Sequence, residues 1–320
     1  MKQNKVNSKY TIEISPTFVC NQMVVIPPKY LDEEENIKLF EKSNFHHYLI
    51  IKKPRVFFKN ITIDSKNILK YSFIIKNKEE DLSFDVEFPR QDGFNPKIEF
   101  NETKSFVKIY DEENVYTEGD ASLIFQHMCI KGFVPNDFIQ NWKILYIGQS
   151  QGRKEERTAI TRLRKHETLQ KILADNQDNF KEEIQIVLLE FEPNTTYIST
   201  MGFLNGNKPE IDLQQSIKHW QYIMTKAISK PQKITMIEAL MIRWFEPEYN
   251  SDYKLNFPQE KGKSYSEAYD FDYNNLCFEL RSDTIGCKLY TDKREPSFYH
   301  TGHIPLYSDD KRKDIFKYFE

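Results

Sequence analysis

Short apolar runs separated by turn-forming residues fill the first 118 positions and leave little room for long helices. They recur at 10–14, 47–51, 56–58, 71–76, 82–88 and 106–110. Between them stand Pro27-Pro28, Asp64-Ser65 and Asp92-Gly93, residue types that pre-set or tolerate turn geometry. This pattern predicts a β-rich N-terminal domain over 1–118, a sandwich or half-barrel, with one short helix near 32–43. Its expected role is recognition or assembly.

The middle of the chain changes character. A helix is expected over 120–132, with Asp120 as cap and Gly132 as stop. A strand at 144–146, a helix over 157–174 and a strong strand at 183–191 follow. Two more helices are expected at 213–229 and 234–245. After Pro247 the chain turns β again at 276–280 and 286–290, then closes with a charged helix at 309–319. The expectation is therefore an α+β protein in three parts: 1–118, an α/β block over 119–258, and a β/α extension over 259–320 packed on the rest.

Charge and cysteine usage narrow the function classes. A net charge of -3 over 320 residues excludes a globally basic nucleic-acid coat protein, so such contact must be local. Cys20, Cys129, Cys277 and Cys287 stand far apart with no C-x-x-C pair, which speaks against a zinc knuckle or disulfide framework and fits a reducing cytosol. No apolar run reaches membrane-spanning length and no apolar core follows the N-terminal Met1. The expected setting is soluble, cytoplasmic and without membrane contact. No phosphate-binding loop of the G-x-x-x-x-G-K-[ST] kind occurs, so ATP dependence is not expected.

Three features carry chemistry. Between Trp142 and Leu173 stand eight basic and three acidic residues, a local excess of +5 that includes Arg153, Lys154, Arg157, Arg164 and Lys165. Such a face suits a phosphate backbone, although a charge run is also what any solvated face looks like. Arg162 and His166 lie four apart on the expected helix, in one stripe with Ala159, Leu169 and Leu173. Arg162 can snorkel and His166 can be a satisfied core histidine. Equally, the stripe can open into a cleft where Arg162 binds phosphate and His166 moves a proton. Glu238 is ringed at helical spacing by Ile234, Met241, Ile242 and Phe245. A carboxylate in that position either reaches water along its stem or is held by a metal.

Tyr146-Ile147-Gly148, then Arg162 and His166, then Glu238-Ala239 with Ile242, Pro247 and Asn250, together resemble the GIY-YIG nuclease family over roughly 142–250. The resemblance implies a small antiparallel sheet flanked by helices and hydrolysis of phosphodiesters, DNA more than RNA, with one Mg²⁺ or Mn²⁺. It implies Glu238 as metal ligand and Arg162 as the group that stabilises the transition-state charge. Tyr146 would position or activate the attacking water, His166 would share the base role, and Asn250 would fix the glutamate or the product end. Most known relatives of this fold cut DNA, hence the preference for DNA; restriction or phage defence is a setting the analogy allows, with a protein partner or a second copy of the chain as further possibilities. The family's first signature is not evident. Its nearest match by spacing is Gly132-Phe133-Val134, which has no tyrosine, and Tyr110 or Tyr116 could supply the hydroxyl instead. The missing tyrosine also admits a catalytically degenerate nucleic-acid-binding or assembly protein. Elsewhere, His300-Thr-Gly-His303 has a spacing that could bind metal, but no further ligand stands near it in sequence.

Overall fold

The computed structural model describes residues 8–41, 43–63, 68–77, 79–89, 96–111, 114–150, 159–164, 166–192, 195–199, 213–259 and 263–318. One large mixed sheet organises the chain, and strands from all three expected parts enter it. In chain order its members are β1 (Ile14–Ile26), β2 (His47–Pro54), β9 (Asn141–Gln149), β10 (Glu182–Phe191), β12 (Asn275–Arg281), β13 (Lys288–Thr291), β14 (Arg294–Ser297) and β15 (Tyr299–Pro305). Their spatial order is β14-β13-β9-β2-β10-β1-β12-β15, with β11 (Thr196–Ser199) also paired to β1. Most neighbours run antiparallel; β1 with β12 and β9 with β13 run parallel.

The expected division at 118 is therefore not how the fold is built. β1 and β2 belong to the same sheet as β9 and β10, and the C-terminal strands extend that sheet instead of packing on it. What stands apart is the segment between β2 and β9. It forms two three-stranded antiparallel sheets, β3 (Val56–Ile63), β4 (Ile68–Ile75) and β5 (Leu82–Pro89), then β6 (Pro96–Phe100), β7 (Phe106–Asp111) and β8 (Asn114–Asp120). Helix α2 (Ala121–Ile130) closes this unit, sharing one core with both sheets through Phe73, Ile109 and Phe125. The alternation seen in the sequence was sound. The unit it described begins after β2 and is an insertion.

Both faces of the large sheet are buried, as period-two side-chain alternation requires of near-continuous apolar strands. On β2, Leu49 and Ile51 join one core while Tyr48 and Ile50 join the other; on β10, Val187 and Leu189 separate likewise from Ile186 and Leu188. The first face is covered by α6 (Lys230–Phe245) through Met236, Ile237, Leu240 and Phe245. The second is covered by α3 (Ala159–Leu163) and α4 (Glu167–Asp175) through Ala159, Leu163, Leu169 and Ile172, with Phe40 of α1 (Glu34–Glu41) in the same core. Helices α5 (Leu213–Thr225) and α7 (Glu267–Asp270) complete the set.

Three local expectations change. The helix expected over 157–174 is two helices, because His166 leaves helical geometry and caps α4 instead. The strand expected at 10–14 starts only at Ile14 and runs to Ile26. No α-helix forms over the described part of 309–319; the chain makes a 3-10 turn at Ile315–Tyr318.

Two buried polar groups fasten distant parts together. Lys53 on β2 is 2% exposed; it pairs with Glu183 on β10 at 2.9 Å and with the Ser122 hydroxyl on α2, locking the insertion to the sheet. Arg312 is 3% exposed and bridges Glu13, beside β1, to Asp272 (2.7 Å) in the turn before β12. Removing one partner of a buried pair strands the other charge. Arg312→Met should therefore lower unfolding stability by about 3–5 kcal/mol in denaturant titration. A loss below 1 kcal/mol would mean that Glu13 and Asp272 find water.

Candidate active site

Strand β9 carries a one-residue slip that decides what its side chains face. Ile51 pairs with Ile144, but the next residue back, Ile50, pairs with Tyr146, leaving Leu145 unmatched. A bulge of this kind re-aims the following side chains. Trp142 and Ile144 lie on the α6 face, whereas Leu145 and Tyr146 both lie on the α4 face; Ile147 returns to the α6 side. Without the bulge Tyr146 would point at α6.

The bulge brings Tyr146 beside Tyr48. Tyr48 is opposite Gly148 in the β2–β9 register, and the two tyrosine rings lie 6.2 Å apart. His166 completes a triangle, 5.7 Å from the Tyr48 ring and 5.2 Å from that of Tyr146. Gly148 is what permits this cluster. A Cβ there would sit 2.5 Å from the Tyr48 ring and hydroxyl and 2.8 Å from Tyr146.

Tyr48 is thus the second tyrosine of the site. Gly132-Phe133-Val134 follows α2 outside any strand, and Tyr110 and Tyr116 lie on β7 and β8 of the insertion. The residues His46-His47-Tyr48 open an apolar strand run legible in the sequence, but residues 55–140 separate them from Tyr146 and hid the pairing.

Glu238 approaches from α6. The turn after that helix is stitched to the free side of β9, beyond the three residues where β13 pairs with it. Tyr249 N–H donates to the Leu145 carbonyl at 3.0 Å. The Asn250 side chain accepts from Ile147 N–H (2.9 Å) and donates to Ile147 C=O (2.8 Å). Asn250 was expected to fix Glu238 or the product; both its polar groups instead hold the bulged strand against the end of α6. Glu246 in a left-handed conformation ends the helix, and Thr291 and Arg294 bond its last carbonyls.

The electrostatics follow from burial. Glu238 is 9% exposed, and desolvation pushes its carboxyl up to about 7. Arg162 and hydrogen bonding from the Gln149 side chain and main-chain N–H oppose that rise, while Asp252 adds to it. Asp252, four residues beyond the Glu248 turn and exposed, is a second acid of the site that sequence reading missed. Burial raises Tyr146 to about 12, and Glu238 adds to that rise; Tyr48 is driven higher still, burial again leading. Neither phenol is a base at neutral pH unless a cation stands beside it. His166 is held below the ordinary imidazole range by burial and then by Arg162. Its Nδ1 accepts from Leu169 N–H at 3.3 Å, which leaves the neutral ring's proton on Nε2 and makes that nitrogen a donor.

Two buried polar atoms at this place, Tyr48 Oη and Gln149 Oε1, have no hydrogen-bond partner among the described residues. Arg162 and Tyr146 act on the ionisation of Tyr48 but neither aligns as its partner. Arg162 itself is exposed at the mouth of the cluster. Of the expected basic face, Arg164 is committed to Asp32 at 2.7 Å, and Arg153, Lys154, Arg157 and Lys165 lie outside the described residues.

The other candidate histidines are structural. On β15, residues three apart point to opposite faces. His300 bonds the Leu289 carbonyl at 2.9 Å, while His303 stacks on Phe316 at 4.1 Å. Among the described residues no three His, Cys, Asp or Glu side chains converge.

No family model, no curated protein and no solved structure matches this chain. No helix among the described residues is long and apolar enough to cross a membrane.

Two outcomes check this geometry. Gly148→Ala should destabilise the fold by about 1–3 kcal/mol through overpacking against the tyrosines; an unperturbed melting temperature would mean that the rings are not held there. The second concerns Glu238. An unfolded glutamate titrates near about 4.3, so between there and about 7 the native state binds the extra proton and stability falls as pH rises. Glu238→Gln should match wild type near pH 4 and exceed it by up to about 3 kcal/mol above pH 7. A difference that does not vary with pH would place the carboxylate in water.

Proposed function

We propose that this chain is a divalent-metal-dependent endonuclease of the GIY-YIG kind, hydrolysing phosphodiester bonds of DNA in a restriction or phage-defence setting. The supporting observation is the pair of tyrosines on adjacent antiparallel strands, packed across a glycine, with His166 beside them and Glu238 buried within electrostatic reach. The alternative of a degenerate binding module rested on a missing first tyrosine; the position of Tyr48 beside Tyr146 supports the catalytic reading over it.

The donor set fits Mg²⁺ or Mn²⁺. Mg²⁺ takes one or two carboxylates and fills its shell with water and substrate phosphate. Glu238 is that carboxylate, with the unsatisfied Gln149 Oε1 next to it. When bound, such an ion supplies Lewis-acid polarisation of the phosphate and acidifies water. The protein's own groups do the rest. The hydroxyls of Tyr48 and Tyr146 orient the attacking water, Arg162 meets the phosphate oxygens from the exposed side, and His166 donates from Nε2. Asn250 acts at one remove, by fixing the strand that carries Tyr146 and Gly148.

A cleavage assay on supercoiled DNA, single-stranded DNA and structured RNA, with Mg²⁺, Mn²⁺ or EDTA, tests the reading. Metal-dependent cleavage of DNA is expected. Glu238→Ala should abolish it, and Tyr48→Phe should slow it by about 10²-fold, the scale of a positioned proton-handling group. Wild-type rates from Glu238→Ala would reject the site.

A further inference from the structure

Asp252 stands at the mouth of the candidate centre. It is exposed, and among the described residues it makes no ion pair and accepts no hydrogen bond. The turn that carries it is held firmly on both sides. Upstream, Asn250 bonds both main-chain groups of Ile147; downstream, Arg243 of α6 donates to the Lys254 carbonyl at 2.6 Å. Between these anchors Tyr253 has a φ of 62°, a left-handed conformation that is an outlier for a bulky residue. Its ring packs edge-on against Phe257 at 6.1 Å and Tyr265 at 6.5 Å. The strained residue therefore turns into the core, and the aspartate before it stays at the surface.

The charge of Asp252 reaches the centre. It acts on Glu238 and on Tyr146, the same two groups on which Arg162 acts with opposite sign. Tyr253 feels both Glu238 and Asp252, which places the two carboxylates in one electrostatic neighbourhood. A charge balance follows. Even with Glu238 ionised, Arg162 cancels it, while His166 and the two phenols are neutral at pH 7. That set offers a divalent cation no net attraction. With Asp252 it carries one negative charge.

Tyr48 gives an independent sign of a bound group. It is fully buried, its hydroxyl has no hydrogen-bond partner among the described residues, and both Glu238 and Arg162 act on it. A buried hydroxyl beside these charges calls for a partner, and water in the shell of an ion is one. We propose that Asp252 is the second carboxylate of the cation site, acting from the solvent side on an Mg²⁺ or Mn²⁺ ion whose buried carboxylate is Glu238. Mg²⁺ gives up its waters reluctantly and is commonly held by one or two carboxylates. An exposed aspartate suits the hydrated side of such an ion. Glu248, the other exposed acid of this turn, is not equivalent: it lies 3.9 Å from Lys143, and its charge acts there and on Tyr249. The assignment rests on the reading of Glu238 as a metal ligand and adds the charge which that reading lacks.

The test is Mn²⁺ titration of the DNA-free full chain, with the unbound ion measured by electron paramagnetic resonance. Wild type should bind Mn²⁺, and Glu238→Gln should abolish binding. Asp252→Asn should weaken it about 10–100-fold, the usual cost of losing an outer-shell partner at a metal. Its melting temperature without metal should equal that of wild type, because the side chain is exposed. Glu248→Gln should leave the affinity unchanged. Wild-type affinity in Asp252→Asn, or equal weakening in Glu248→Gln, would overturn the proposal. A wild-type protein that holds no Mn²⁺ would overturn it together with the metal reading. Because no cleavage enters the titration, the other failures separate. Metal-dependent cleavage with Mn²⁺ affinity indifferent to Asp252 rejects the second carboxylate alone. Binding of Mn²⁺ that needs Asp252, in a protein that cuts no nucleic acid, supports the site and rejects the nuclease.

Discussion

The pairing of β2 with β9 across the bulge at Leu145 is the constraint on which the site depends. A strand in perfect register alternates its side chains, and Tyr146 would then face the helix that carries Glu238. One unmatched residue turns it to the other side, where Tyr48 stands and where only a glycine at 148 leaves room. The bulge exposes backbone groups that β13 is too short to reach. The turn at 249–250 satisfies them, with Tyr249 on Leu145 and Asn250 on Ile147. The same hydrogen bonds that repair the irregular strand thereby fix the end of α6, and with it Glu238.

The cluster so formed is left incompletely satisfied. A buried carboxyl with a raised pKa, and a phenol and an amide oxygen without partners among the described residues, are each destabilising features. Other buried polar atoms without a partner among the described residues are scattered over the fold, at Thr17, Trp244 and Tyr273 among others; what sets this sheet end apart is the buried carboxyl beside two tyrosines and a histidine. The stabilising polar groups lie elsewhere. Lys53 with Glu183 and Ser122, and Arg312 with Glu13 and Asp272, are fully paired and tie the insertion and the C-terminal segment to the sheet.

Much of the secondary structure was legible in the sequence because it is local. Turn residues and period-two runs identified β2, β4, β5, β7 and β10, and 3.6-residue periodicity identified α2 and α6 close to their observed ends. Glu238 was legible for the same reason, since four apolar helical neighbours around a carboxylate define a buried charge. The split of the helix at His166 was not legible: an apolar stripe continues through it, and only the cap on Leu169 N–H breaks it. The role of Asn250 was missed because its partners are main-chain atoms of Ile147, which no side-chain pattern encodes.

The sequence by itself determined most of the elements, the α+β class and the residues with unusual chemistry, since propensity, periodicity and buried charge are properties of short stretches of chain. Tertiary structure decided which strands are neighbours. Strand pairing is non-local, so residues 55–140 could be inserted between β2 and β9 without altering the pairing of either strand, and no residue pattern indicated that Tyr48 and Tyr146 meet. It also decided that the C-terminal strands extend the main sheet, because an edge with unpaired backbone groups accepts a strand from anywhere in the chain.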